Sequence, residues 1–336
     1  MSSKGASSPR TKHVKLFGVS LCSSDHPKFV ISIMAFLFTW FIIRPSLMSS
    51  SYPEPTKLYP QNSTKDTDPF ASLHNYCAHV PPIATSEFHA RQSALAKALL
   101  DLNASAYIAE PGANALFFGN ISDSNWHLSE RPLLLIVTPF TTSDGQVKPN
   151  VTILTPKFET GRAKLLSIPA SEVTFVEWAE DEDPYKAAVS ALPSQGTIYI
   201  AEATRLFIRD GIQEAVSDRA VLSAPLAIRS LRERKSPAEI ALLRCVNEAT
   251  LEAMRAVKSK MHLGIRQSET SRLLSQALGV AGLSNGGGLV LFGPNAALPH
   301  GGPVDRELEA EDFILFDGGG KLHGYTSDIT RSSVYV

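Results

Sequence analysis

Residues 313–332 read FILFDGGGKLHGYTSDITRS, and this stretch decides how the C-terminal third of the chain folds. An apolar run over 313–316 leads into Asp317 and glycines 318–320. The chain resumes at His323 and Gly324 and reaches Asp328 eleven residues after Asp317. Apolar residues closing on a glycine-rich polar centre predict a β-hairpin. With the turn centred between Leu322 and His323, Asp317 and Asp328 stand directly opposite one another on one face, Cβ atoms ~5 Å apart. Like charges so placed repel, and a cation between them is one compensation. A protonated carboxyl, or an arginine brought from elsewhere, is the other.

Upstream of the hairpin, a strand over 289–292 follows Asn285-Gly-Gly-Gly, and Gly293-Pro-Asn-Ala-Ala-Leu-Pro-His300 follows as a loop. A lone loop histidine such as His300 carries no chemistry by itself. Two amphipathic helices come before this strand. Ser236 serves as N-cap of the first, Pro237 suits its first helical position, and Glu239 reaches back to close a capping box. Ile240, Leu243, Asn247, Thr250, Leu251, Met254, Val257 and Met261 then recur at helical spacing, the expected buried stripe, and Gly264 ends the helix. The second helix, over 267–280, carries Leu273, Leu274, Ala277 and Leu278 on one side. The basic run 229–235 lacks interleaved aromatics and reads as a connector, not a nucleic-acid surface.

Between 86 and 201 helical and strand patterns alternate. Helices are expected over 87–102, 161–167 and 185–191, with strands over 106–109, 115–118, 133–138, 151–154, 173–177 and 197–201. Such alternation predicts a three-layer α/β domain around a largely buried sheet. No phosphate-binding glycine loop precedes its helices and no GxSxG occurs, so its role reads as structural or substrate-shaping. The acidic stretch 180–183 reads as a solvated loop, not a cation site.

The totals suit this organisation. The chain has 336 residues, 43% hydrophobic and 19% charged, an ordinary globular composition with material for about two domains. A net charge of −1 gives no global attraction for nucleic acid or acidic lipid. Cys22, Cys77 and Cys245 form no CxxC, so neither a zinc ribbon nor a dense disulfide framework is supported. Cys77 and Cys245 are expected as two free buried thiols, a single bridge between them being the alternative.

The N-terminus reads as a separate device. Residues 1–28 are a polar, basic, cytosolic tail, and residues 29–43 (FVISIMAFLFTWFII) are uninterruptedly apolar. That length falls between a signal-peptide core of ~7–15 and a spanning helix of ~20 residues. Bulky Phe and Trp residues and the long preceding tail favour an uncleaved transmembrane anchor over a cleaved signal. The basic flank puts the N-terminus in the cytosol and the bulk in a lumen or outside the cell. Residues 44–84, rich in Pro, Ser, Thr and Asn, read as a disordered stalk. Asn62, Asn103, Asn120 and Asn150 each open an N-x-S/T glycosylation triplet, which agrees with that side of the membrane and with a glycoprotein.

Taken in order, RxxRxxKSPxE at 229–239 with its helix, NAALPHGGP at 295–303, ILFDGGG at 314–320 and GYTSDITRS at 324–332 resemble the Xaa-Pro aminopeptidase, prolidase and creatinase family. The resemblance covers roughly residues 85–336 and is strongest from Arg229 onward. It implies a creatinase-type α/β N-terminal domain over 85–228, then an α+β pita-bread metallopeptidase domain over 229–336. It further implies that Asp317 and Asp328 are metal ligands. His300, seventeen residues before Asp317, would contact substrate and assist proton transfer. The implied cofactor is a pair of divalent ions, Mn suiting carboxylate oxygens better than Co or Zn. The implied substrate is a peptide with proline near its N-terminus; a homodimer stays open as the assembly.

One departure qualifies these expectations. The family completes its metal site with a histidine and two glutamates on later strands, and adds a second catalytic histidine. Nothing after Asp328 matches them, while Glu307, Glu309 and Glu311 all precede Asp317. The expected picture is the first half of a pita-bread domain, ending in an unpaired strand over 329–336 with apolar surface beneath it. Three readings follow: a membrane-anchored metallopeptidase whose remaining ligands lie outside this sequence, a catalytically dead relative acting as a binding module, or a creatinase-like amidinohydrolase. In each, these 336 residues alone are expected not to hydrolyse Xaa-Pro peptides.

Overall fold

Every residue of Ala104–Ala109 (β1) is buried, as in a central strand covered on both faces. It lies inside a six-stranded mixed sheet in a computed structural model that describes residues 68–336. Leu134–Thr141 (β2), Val147–Pro156 (β3), Val173–Trp178 (β4), Thr197–Ile200 (β5) and Val221–Ser223 (β6) complete the order β4-β3-β2-β1-β5-β6. β2 runs antiparallel to β1 and β3, and the other pairs are parallel. Thr85–Asp101 (α1) and Ala113–Gly119 (α2) cover one face, Leu95 and Leu99 clustering with Tyr107, Leu135 and Ile153. After the single turn Thr160–Ala163 (α3), Pro184–Ser190 (α4) and Leu206–Ala215 (α5) cover the other. There Ala188, Ile208 and Ile212 cluster with Ile108, Ile136 and Ile198. The three layers are those the alternation predicts.

The departures are local. Residues 115–118, expected as a strand, lie in α2, because a short apolar run does not separate strand from helix. Phe117 and Phe118 are both buried there, and Asn120 closes the turn at φ 59°. The basic run 229–235, expected as a connector, begins inside Leu226–Glu233 (α6), whose Ile228 is buried and whose Arg232 pairs with Glu202 at 3.3 Å. In the acidic loop Asp183 caps α4 through Tyr185 N and Lys186 N. Glu180 pairs there with Arg131.

The next helix, Pro237–Lys258 (α7), opens on the predicted capping box. Ser236 Oγ accepts from Glu239 N at 3.2 Å, and Glu239 Oε2 accepts from Ser236 N at 2.9 Å. Its buried face is displaced from the expected stripe: Leu242, Val246, Ala249, Ala253 and Val257 face inward, and Ile240 is 46% exposed. Alanines on the packed face let α7 sit close to its neighbours, and a count weighted toward Leu, Ile and Met misses them. The helix ends at Lys258, before Gly264. Gln267–Val280 (α8) follows with Leu274, Ala277 and Leu278 buried.

Ser284–Phe292 (β7), Phe313–Leu322 (β8), Tyr325–Thr326 (β9) and Ile329–Val334 (β10) form a second sheet in the order β10-β8-β7, with β9 extending β8. α7 and α8 cover the face bearing Val290, Phe292, Ile314 and Phe316. Glycines 286–288, expected ahead of the strand over 289–292, are strand residues, as are glycines 318–320 within the hairpin. A Cβ on Gly288 would lie 2.4 Å from Asp317 O, and one on Gly318 would lie 2.5 Å from Gly287 O. Glycine permits this close approach of the two backbones.

The expected stalk is shorter than 44–84. Residues 68–84 are packed: Phe70, Leu73, Cys77 and Val80 join the core beneath α7 and α8. Two free thiols were expected, and instead Cys77 and Cys245 form a disulfide, Cα atoms 5.9 Å apart. The segment's composition hides that it folds back across α7, and only that path brings the two cysteines together. Among the described residues no helix is long and apolar enough to cross a membrane. The expected tail over 1–28, anchor over 29–43 and the remainder of the stalk lie outside the described residues.

Candidate metal and active site

The hairpin exists as predicted, in a different register. Leu322 pairs with Tyr325, Ile329 with Gly318 and Thr330 with Asp317. The turn is His323-Gly324, with φ of 48° and 85°, the left-handed pair that a two-residue hairpin loop needs. It lies one residue later than expected, since only Gly324 advertises a left-handed position in the sequence. Asp328 therefore falls opposite Gly319, not Asp317. Opposite residues of an antiparallel pair share a face, so Asp317, Asp328 and Thr330 still share one. The aspartates are diagonal neighbours, a relation of ~7–8 Å in a regular ladder. Direct opposition thus gives no argument for a cation; the shared face does.

That face is the one not covered by helices. Asp317, half-buried in the central strand, stands between Leu289 and Thr330. Its Oδ1 accepts the Thr330 hydroxyl at 2.6 Å. At Ser327 the chain leaves the ladder: Ser327 N still donates to Gly320 O at 3.0 Å, while Gly320 N donates to the Ser327 hydroxyl at 3.0 Å. Ser327 and Ile329 are buried and Asp328 between them is exposed. The arginine alternative is not realised. Arg331 donates to Thr330 O at 2.8 Å, and among the described residues neither aspartate has an ion-pair partner.

His300 is exposed, in a turn after the 3-10 helix Gly293–Ala297. A Cβ on the adjacent Gly301 would lie 3.8 Å from both Leu289 and Leu291 side chains, which puts this loop over the face of Asp317. Gln267 and Asn295, which the sequence reading passed over, hold it there. Gln267 Oε1 accepts from Phe292 N at 2.8 Å and from Asn295 Nδ2 at 3.0 Å, and Asn295 also donates to Val304 O at 2.9 Å. Asn295 opens the NAALPHGGP motif, the one signal that could have found it.

A second missed group is buried behind the hairpin. Tyr325 OH donates to Glu239 Oε1 at 2.9 Å, and Arg91 Nη2 lies 2.5 Å from Glu87 and 3.5 Å from Glu239. Arg91 also donates to Phe117 O at 3.2 Å. Burial, opposed by Arg91 and reinforced by Glu239, pushes the Tyr325 hydroxyl up to about 12. A cavity of ≈ 360 Å³ opens beside this group, lined by Arg91, Asn120, Asn125, His323 and Tyr325, and contains neither aspartate.

As a donor set, two carboxylates on an open face suit a hard divalent cation. Among the described residues no group of three or more His, Cys, Asp or Glu is arranged to hold a metal ion. Asp317 and Asp328 therefore fit as part of a ligand set, and no reaction step follows through a metal from these residues alone.

Residues 241–336 match the family described as Metallopeptidase family M24. An uncharacterised peptidase of Schizosaccharomyces pombe is 37% identical over 263 residues, covering 76% of this chain and 58% of its own length. An uncharacterised peptidase of Staphylococcus aureus is 34% identical over 109 residues, 32% of this chain and 31% of its own. A dipeptidase structure from Mycobacterium ulcerans has a TM-score of 0.63 at 24% identity, covering 75% of this chain and 66% of that one. A prolidase structure from Thermococcus sibiricus has a TM-score of 0.60 at 20% identity, covering 76% and 66%. At these identities the structural likeness is one of fold, and the chain spans 31% to 66% of the length of these relatives. Residues 241–336 carry a Metallopeptidase family M24 domain, with mixed α/β sheets in a pita-bread-like fold.

Proposed function

We propose that this chain contributes the first two metal ligands, Asp317 and Asp328, and a substrate-side histidine, His300, to a metallopeptidase acting near the N-terminus of peptides with proline beside the scissile bond. The observation that carries this reading is the open face shared by Asp317 and Asp328 within the stretch matched to the family. Divalent ions held there would supply Lewis-acid activation of water and of the scissile carbonyl. Thr330 fixes the Asp317 carboxylate, and Gln267 with Asn295 holds the His300 loop over the same face. An imidazole there suits delivery of a proton to the departing amine. Oxygen donors favour Mn2+ over Zn2+ or Co2+.

Two carboxylates hold one ion weakly and do not form a two-ion clamp. The polypeptide of these 336 residues is therefore proposed to take up Mn2+ without hydrolysing Xaa-Pro peptides. Mn2+ uptake followed by electron paramagnetic resonance tests the site: Asp317→Ala and Asp328→Ala should each abolish it, and unchanged uptake in both would remove the reading. Metal-dependent Xaa-Pro turnover by this polypeptide, lost in Asp317→Ala, would overturn its inactivity. A second reading is a binding module that holds peptide without catalysis. Calorimetric binding of an Xaa-Pro peptide in the presence of a chelator would support it.

The bulk of the chain is proposed to lie in a lumen or outside the cell, anchored through residues 29–43. A buried Cys77–Cys245 disulfide is at home in an oxidising compartment. Asn103 and Asn150 are exposed, whereas the Asn120 amide donates to Ser167 O at 3.0 Å. An endoglycosidase that leaves gel mobility unchanged would count against this placement.

A further inference from the structure

Asp328 lies in the break between β9 and β10, followed by Ile329, which pairs with Gly318 in the ladder. The residues just before Asp328 are held by α7. Thr250 Oγ1 lies 2.8 Å from Val246 O and 2.7 Å from Ser327 Oγ, and both hydroxyls are buried. Each hydroxyl has a single proton. With the Thr250 proton given to Val246 O, the Ser327 hydroxyl gives its own to Thr250 at 2.7 Å, the nearer of its two acceptors (Gly320 O lies at 3.3 Å), and accepts from Gly320 N. The result is a directed chain from Gly320 through Ser327 and Thr250 to the helix backbone. Three turns earlier on α7, Glu239 receives the Tyr325 hydroxyl at 2.9 Å. Glu239 is itself fixed by the Ser236 backbone N–H, with Arg91 close by.

Both tethers end on one face of α7, because eleven residues are close to three helical turns. They flank the short segment from Tyr325 to Ser327 and leave the next residue, Asp328, pointing away from the helix. A carboxylate on an irregular, exposed stretch would otherwise sample many directions, and a metal site needs its ligands fixed by surrounding groups.

We propose that Thr250 and Glu239 are positioning residues that aim the Asp328 carboxylate, acting through Ser327 and Tyr325. This rests on the reading of Asp328 as a metal ligand. Neither residue touches the ion or substrate; they set the direction from which Asp328 meets it.

The test uses Thr250→Val, which keeps shape and removes the hydroxyl, Thr250→Ser, which keeps the hydroxyl, and Tyr325→Phe. Two readouts are taken on the 336-residue polypeptide: Mn2+ affinity by electron paramagnetic resonance, and amide hydrogen exchange without metal. Thr250→Val and Tyr325→Phe should each weaken Mn2+ binding about tenfold or more. Each should also speed exchange over residues 325–330 while leaving 267–280 unchanged, and Thr250→Ser should resemble the wild type in both. Normal Mn2+ uptake with Thr250→Val indistinguishable from wild type overturns this proposal alone. So does Thr250→Ser as damaging as Thr250→Val. A wild-type chain that takes up no Mn2+ overturns the ligand reading and this role with it, and the exchange data then describe a structural tether only.

Discussion

Thr330 gives its hydroxyl proton to Asp317 across the β8–β10 ladder at 2.6 Å, and so holds one oxygen of that carboxylate while leaving the other free. Thr330 is exposed, and its removal disturbs little packing. Thr330→Val should leave unfolding free energy within about 0.5 kcal/mol of wild type. It should weaken Mn2+ uptake about tenfold, because an outer partner that orients a ligand contributes on that scale. Urea unfolding and metal titration on the same sample separate the two effects.

The strand glycines make a contrasting pair with a helical one. A Cβ on Gly319 would lie 2.0 Å from the backbone oxygen of Ser327, a collision no rotamer relieves. Gly319→Ala should cost about 1–3 kcal/mol or more, read as a lowered urea midpoint. Gly279 in α8 has nothing within 4 Å of its would-be Cβ. Gly279→Ala should raise the midpoint, by about 0.5–1 kcal/mol.

The Cys77–Cys245 bridge closes a long loop, with 168 residues of sequence separation. Removing a native disulfide of this kind costs about 2–5 kcal/mol. Cys77→Ser with Cys245→Ser, or reductant on the wild type, should lower the denaturation midpoint accordingly. Alkylation of the unreduced, denatured protein should leave both cysteines unmodified by mass spectrometry.

Tyr325 provides a pH signature. Burial raises its hydroxyl from the usual 10.0 to about 12 in the folded chain. The unfolded chain therefore loses this proton first, and the stability contributed is complete below pH 10 and lost as the pH rises toward about 12. Tyr325→Phe should be less stable at neutral pH, for want of the bond to Glu239, and should show a shallower decline over that alkaline window. Parallel slopes for the two proteins between these limits would contradict the burial argument.

What could be read from the residues was what depends on near neighbours. The Ser236–Glu239 capping box and the 267–280 helix are set by spacing over a few positions, and both stand as read. The buried face of α7 was misread because Ala249 and Ala253 pack through smallness. The hairpin was legible from its glycines, but its register was not, since His323 gives no sign of its left-handed conformation. Asp328 stands out in the sequence, and Thr250 and Glu239, the residues proposed to aim it, do not. On α7 Thr250 reads as one more member of the buried stripe, and Glu239 as half of a capping box. Their second partners lie 77 and 86 residues away, a distance over which no periodicity speaks. The disulfide escaped for the same reason.

That disulfide also decides how the chain bears a load. Cys77 precedes every strand of the six-stranded sheet, and Cys245 lies in α7 beyond all of them. A pull applied upstream of Cys77 passes through the bridge straight into α7, and the whole intervening loop is out of the line of tension. A single backbone cut anywhere in that loop would likewise leave both pieces joined until the bridge is reduced.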